Sequence, residues 1–223
     1  MTTSQHTSQE QDVPLAGSTV SLLSLSRDVV ALAELESWEA SPSGLVVTSQ
    51  VTTTPEVASM LDGQRTWAST YTPRTNTLVV FEGVASQARP DRPGHLVISG
   101  VSVIAREHRR AEPRAHVPCN VVLHVEEADD VTGRTLDLSR SGCRIEVERS
   151  DDLLVGDVAT AELTLDDDTV VRTPCRVVRL DEGSRQAVLQ FQGMDDKDMV
   201  ALSRSVFSRL SADTARSVGA GAG

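Results

Sequence analysis

Residues 117–148 read VPCNVVLHVEEADDVTGRTLDLSRSGCRIEVE. Apolar residues recur here mostly at period two, in short runs broken by Gly, Pro, Asp and Ser, which is the pattern of strands rather than helices. The pattern continues through DVATAELTL, TVVRTPCRVVRL and RQAVLQFQ, so that with VPCNVVLHV, GRTLDLS and GCRIEVE this region holds six strands. The period then changes. Met199, Leu202, Val206 and Leu210 are spaced by three, four and four residues, which places them on one face of a helix. Asp195 is its expected N-cap, with Asp196 and Asp198 at the electropositive end. Upstream, six further strands fall at STVSLLS, DVVALAEL, GLVVTSQV, TWASTYT, TLVVFEGVA and HLVISGVSVIA, with TPEVASMLDGQ a short helix or a connection. The expected fold class is mainly β: two small β-barrel domains in tandem, the C-terminal one six-stranded and followed by an α-helix.

A chain of 223 residues suits two units, since single-core domains mostly run to roughly 100–150 residues. The hydrophobic fraction is 39% and the charged fraction 24%, sufficient apolar content for most of the chain to fold. Aromatics are only 3%, so the cores must be built largely from Val, Leu, Ile and Ala, and an extended stacking platform for single-stranded nucleic acid is disfavoured. The expected organisation is a disordered N-terminus (1–14), an N-terminal β-barrel accessory domain (15–105), an Arg-rich linker REHRRAEPR (106–114), a barrel with its helix (115–211), and a disordered Ala-, Gly- and Ser-rich tail (212–223). No stretch approaches the roughly 20 apolar residues that cross a bilayer, and MTTSQHTSQEQDVP lacks the basic and apolar regions of a signal peptide. A cytoplasmic protein without stable membrane insertion is therefore expected. Cys119, Cys143 and Cys175 are odd in number and widely spaced, which fits reduced, buried thiols rather than a disulfide framework or a metal clip.

The net charge is -11, from 32 acidic and 21 basic residues, and this balance disfavours binding to DNA or RNA. Twenty of the basic residues are Arg and only Lys197 is Lys, so a single Arg carries little meaning unless it clusters. Divided along the chain, residues 1–105 carry -5 and residues 115–223 carry -8, whereas 106–114, with Arg106, Arg109, Arg110 and Arg114, carries +2. A short cationic segment in an acidic protein points to a specific small anion rather than a polymer.

Arg110 and Arg114 form an RxxxR pair within RAEPR. Pro113 disfavours a regular helix through it, leaving an extended or turning segment able to wrap two guanidinium groups around a ligand. Each guanidinium offers planar donors matched to phosphate oxygens and to the O6/N7 edge of guanine. Some twenty residues on, DLSRSG contains Asp137, Ser139 and Gly142 as D-x-S-x-x-G, between two strands. Alternation puts Asp137 and Ser139 on one face. A carboxylate accepts from the N1 and N2 donors of guanine; Ser139 can bond a ligand or the local backbone; Gly142 permits a tight turn or a close backbone approach. Taken singly, these segments also read as a solvated linker and an ordinary Asp/Ser turn. Arg106, Arg140 and Arg144 are within reach of such a ligand but read first as surface charges.

RAEPR, then DLSRSG, then strands ending in CRVVRL and AVLQFQGM and a terminal helix, together resemble a PilZ domain, the bacterial receptor module for cyclic di-GMP, over about residues 106–210. The resemblance implies a six-stranded PilZ-like barrel in which Arg110 and Arg114 hold phosphate and guanine, with Asp137, Ser139 and Gly142 as the opposing wall. The N-terminal half resembles, more loosely, the accessory barrel of flagellar-brake proteins, which implies motility control and a protein partner such as a flagellar motor component. Ser141 stands where a second Gly is frequent, and Pro113 is an unusual occupant of the last variable position in RxxxR. Arg109 adds a third guanidinium, suited to an intercalated pair of cyclic di-GMP molecules with four phosphates. The expected function is a cyclic di-GMP receptor that rearranges its two domains; the alternative is a PilZ-like adaptor that binds a protein partner without nucleotide. No enzyme is expected: a Ser139-centred hydrolase would need a His, an acid and an oxyanion hole, and no GxSxG is present. Nor is a metal or other cofactor, because His108, His116, His124 and Cys119 are not spaced as a tetrahedral set.

Overall fold

A computed structural model of the chain describes residues 14–24, 26, 30–40, 46–72, 76–88, 91–108, 112–126, 128–148, 153–181 and 183–220. It divides into two compact units, Met1–Pro113 and Arg114–Gly223. The first contains β1 (Thr19–Ser24), β2 (Val30–Ala40), β3 (Val46–Thr52), α1 (Pro55–Leu61), β4 (Arg65–Thr72), β5 (Thr77–Gln87) and β6 (His95–His108). The six strands close into an antiparallel barrel in the order β1-β2-β3-β6-β5-β4. Val20, Leu35, Val51, Phe81 and Ile98 fill it, all without measurable exposure. Trp38 packs edge-on against Phe81, with ring centroids 4.9 Å apart, a favourable aromatic arrangement in a chain with few of them. The segment left open between helix and connection is helical: Thr54 caps it by accepting from Val57 N, and Pro55 occupies the first turn, where its missing N–H costs nothing.

The second unit contains β7 (Arg114–Ala115), β8 (Asn120–Val125), β9 (Val131–Ser139), β10 (Gly142–Val147), β11 (Val158–Thr164), β12 (Val170–Asp181), β13 (Gln186–Phe191) and α2 (Asp196–Ala220). Its barrel runs β8-β9-β10-β13-β12-β11 and closes through the pairing of β11 with β8. The core is aliphatic, with Leu123, Leu138, Ile145, Leu163 and Val177 fully or almost fully buried. Leu202 and Val206 on α2 join this same core, and Leu210 packs against it half-buried. Burying a side chain such as Leu202 in this way is worth about 1.5–3 kcal/mol, which anchors the helix to the barrel. Asp195 caps the helix as expected, its carboxylate accepting from Asp198 N at 2.7 Å.

The structure corrects two boundaries. The segment 106–114 is shorter as a connection, because β6 keeps Arg106, Glu107 and His108 in register with Val79, Leu78 and Thr77, and β7 takes Arg114. The tail is not disordered from residue 212, since α2 continues to Ala220. Its extension is chemically reasonable: Asp213 pairs with Arg209 one turn back and with Arg216 ahead, and the Thr214 hydroxyl donates to Leu210 O. The N-terminal segment 1–13 lies outside the described residues, while Pro14 is buried. No helix among the described residues is long and apolar enough to cross a membrane.

Cys119, Cys143 and Cys175 are all free and buried in the second barrel. Burial pushes the Cys175 thiol up to about 11 and the Cys143 thiol well above its ordinary range, and raises Cys119. A raised folded-state pKa means the unfolded chain ionises first as pH increases, so these thiols withdraw stability above the ordinary thiol pKa of about 8.5. Titration with an aromatic disulfide at pH 8 is expected to find no rapidly reacting thiol in the native protein and three in denaturant. A fast-reacting thiol in the native state would place at least one of them at the surface.

Candidate ligand-binding site

The site is organised around the last four residues of β9. Along one edge of β9, β8 pairs with residues 131–134, and β7 resumes pairing on that edge with Arg114 opposite Ser139 and Ala115 opposite Leu138. Along the other edge, β10 places Gly142 opposite Ser139 and Arg144 opposite Asp137. Arg114, Ser139 and Gly142 therefore form one row across three strands, with Asp137 and Arg144 in the row two residues away, at the strand separations of roughly 4.7–4.9 Å that sheets impose.

Strict alternation from Val131 and Thr135, both buried, would send Asp137 and Ser139 into the barrel. A bulge prevents this. Between Thr135, opposite Ile145, and Asp137, opposite Arg144, Leu136 has no partner on β10, so the side-chain order inverts. Leu138 then points into the core, Asp137 is partly exposed opposite Arg144, and Ser139 is buried two positions on, opposite Gly142. The opposite edge fixes the bulge: His116 Nδ1–H donates to Leu136 O at 2.7 Å, Thr135 N donates to Cys119 O, and the buried Thr135 hydroxyl donates to Val117 O.

The Asp137 carboxylate lies between two guanidinium groups. Arg114 Nη1 donates to Oδ1 at 3.2 Å and Arg144 Nε to Oδ2 at 3.0 Å. The Asp137 side chain keeps 21% of its exposure, so the remaining lone pairs of both oxygens can accept from a ligand. Ser139 is used differently. It is fully buried, and its hydroxyl donates to Gly142 O at 2.9 Å, closing the turn through Arg140 and Ser141. Of the two openings left to Ser139, this structure takes the local backbone. Gly142 serves close approach rather than a turn, because a Cβ there would sit 2.2 Å from Leu189 O on β13. Arg109 and Arg110 lie outside the described residues.

Residues 108–208 match the family model for the PilZ domain. This part of the chain is a PilZ domain. Among solved structures, the chain is similar to the inhibitor of motility MotI/DgrA of Bacillus subtilis, with 13% identity and a TM-score of 0.41 over 89% of this chain and 99% of that one. It is also similar to YcgR of Escherichia coli in complex with c-di-GMP (14% identity, TM-score 0.42, 91% of this chain and 88% of that one). A third is the MrkH–c-di-GMP complex of K. pneumonia (13% identity, TM-score 0.40, 90% of each chain). No curated protein matches the chain.

Within the PilZ domain, the structure brings Arg114, Asp137, Ser139 and Gly142 together and adds two residues that the sequence did not place in the site. Arg144, read as a surface charge, is the cross-strand partner of Asp137. His116, weighed only as a metal ligand, holds the bulge that turns Asp137 outward. The first had a legible signal, since an outward Arg two residues past Gly142 must face the strand that carries Asp137 once β9 and β10 form a tight hairpin. The second had none, because the bulge is not readable from spacing.

Gly142→Ala is expected to lower unfolding stability by about 2–3 kcal/mol, since β13 backbone must move to admit a methyl group. Urea denaturation checks this. A midpoint unchanged from wild type would mean that β10 and β13 separate at no cost.

Proposed function

We propose that the PilZ domain binds cyclic di-GMP, with Arg114 and Asp137 as contact residues and Ser139 and Gly142 shaping the wall against which the ligand lies. The observation that carries this reading is the row Arg114–Ser139–Gly142 with the Asp137 carboxylate beside it, which joins the two sequence motifs across neighbouring strands. Guanidinium donors suit the phosphates and the O6/N7 edge of guanine; the carboxylate suits its N1 and N2 donors. The family match over 108–208 supports the same ligand. Arg110 and Arg109 complete the set from the connecting segment, Arg109 favouring an intercalated pair of ligand molecules.

In this reading the protein is a cytoplasmic binder rather than an enzyme, and its output is a change in the relation between its two units. Ordering the segment between β6 and β7 by charge-assisted hydrogen bonds is the physical step that couples ligand to that change. Flagellar motility control through a motor component is the output suggested by the two-domain organisation.

Calorimetric titration of the full chain with cyclic di-GMP tests the reading directly. Loss of one charge-assisted contact removes about 1.5–3 kcal/mol, so Arg110→Ala and Arg114→Ala should each weaken binding by about ten- to a hundredfold. Two ligands per protomer are expected if Arg109 supports a pair, and Arg109→Ala should then reduce the stoichiometry to one. Absence of binding by the wild-type chain would favour a nucleotide-independent adaptor instead.

A further inference from the structure

Arg144 lies outside both motifs, yet it holds half of the carboxylate at the centre of the site. Its side chain points outward between the core residues Cys143 and Ile145, directly across from Asp137. The Nε–H bond to Oδ2 leaves both terminal amino groups of Arg144 without another hydrogen bond among the described residues. The two guanidinium groups on Asp137 come from strands with different backbone settings. Arg144 projects from β10, which is paired on both edges, to β9 and to β13. Arg114 projects from the first residue of a two-residue strand, immediately after Pro113. In the cyclic di-GMP reading, Arg114 belongs to the RxxxR pair that turns to the ligand, whereas Arg144 belongs to neither motif.

We propose that Arg144 is a positioning residue of the dinucleotide site: it retains Asp137 Oδ2 when Arg114 turns to the ligand, and so presents Oδ1 to the N1–H and N2–H donors of guanine. This rests on the cyclic di-GMP reading above. The terminal torsion of an Asp side chain is soft and roughly two-fold, so a carboxylate released by Arg114 would otherwise rotate freely. The planar Nε–H donor fixes that rotation, and the positive charge beside Oδ2 keeps the group an acceptor. Arg144 thus acts through Asp137, and its effect should be felt at the guanine edge rather than at the phosphates.

The probe that separates these is the cyclic dinucleotide with hypoxanthine in place of guanine, which retains both phosphates, N1–H, O6 and N7 but lacks the N2 amino group. Both dinucleotides are titrated calorimetrically into the wild-type chain and into Arg144→Ala, Arg144→Lys and Arg114→Ala. The wild type is expected to prefer the guanine ligand. Arg144→Ala should lower affinity for it about tenfold and for the hypoxanthine ligand less, narrowing the preference, while Arg144→Lys restores part of it. Arg144→Gln carries the same expectation as Arg144→Ala, so poor folding of one variant does not decide the matter. Unchanged guanine-ligand binding in Arg144→Ala, with binding weakened in Arg114→Ala, overturns the role of Arg144 and leaves the site intact. Equal weakening for both ligands also overturns it, since that is a charge effect on phosphate. A wild type with no preference removes the guanine edge from the role of Asp137, and a wild type that binds neither ligand removes the site itself.

Discussion

The bulge at Leu136 is the constraint on which the site depends. Up to Thr135, β9 follows ordinary alternation, feeding Val131 and Thr135 into the second unit. One residue without a partner on β10 then reverses the pattern for the remainder of the strand. Without it Leu138 would face solvent, and Asp137 would enter an aliphatic core where an unpaired carboxylate is costly to bury. The barrel and the site therefore make the same demand on this residue: the inversion keeps Leu138 in the core and turns Asp137 toward Arg114 and Arg144. Because His116 and Thr135 secure the bulge from the edge next to β7, the chain that delivers Arg114 also holds the geometry that Arg114 meets.

Both barrels show how a chain with six aromatic residues builds its interior. Closure removes exposed strand edges and allows short aliphatic and small residues to fill a narrow interior. The second barrel relies on Val, Leu, Ile, Ala and three thiols, with α2 adding Leu202 and Val206. Close backbone approach at Gly142 belongs to the same economy of space, for β10 and β13 leave no room for a methyl group. The residue that reads as part of a binding motif is thus required first by barrel closure, and its place beside Ser139 follows from the register.

Twelve strands and the C-terminal helix were legible because period two, period 3.6 and turn residues agree locally over most of this chain, whereas α1 was left open between helix and connection. What escaped was set by long-range pairing. The strand character of Arg106–His108 comes from the ladder with β5, and nothing within REHRRAEPR signals it. The helix beyond Leu210 was obscured by small residues that suit a linker equally well, although Asp213 stands at helical spacing from Arg209 and Arg216. For the site, the two-residue spacing of Asp137 and Ser139 was legible, whereas the bulge decided that Asp137 stands opposite Arg144 on the partly exposed side. Arg144 looked like one more charge in an Arg-rich chain until the register put it opposite Asp137.

The acidic character of the protein bears on which anions such a site can accept. Screening at physiological ionic strength acts over about 8 Å, so repulsion from carboxylates elsewhere on the surface is weak at the site, while donors in contact act at hydrogen-bond range. Arg114 and Arg144 around a single Asp137 leave a local excess of positive charge, and Asp137 supplies an acceptor that phosphate alone cannot use. A compact dinucleotide fits within that range and has donors for the carboxylate. A long polyanion must extend past the site along a chain whose net charge is negative. In the proposed reading, the balance of -11 and the two arginines on one aspartate work in the same direction, the first against polymers and the second for a small ligand that presents both phosphate and purine edge.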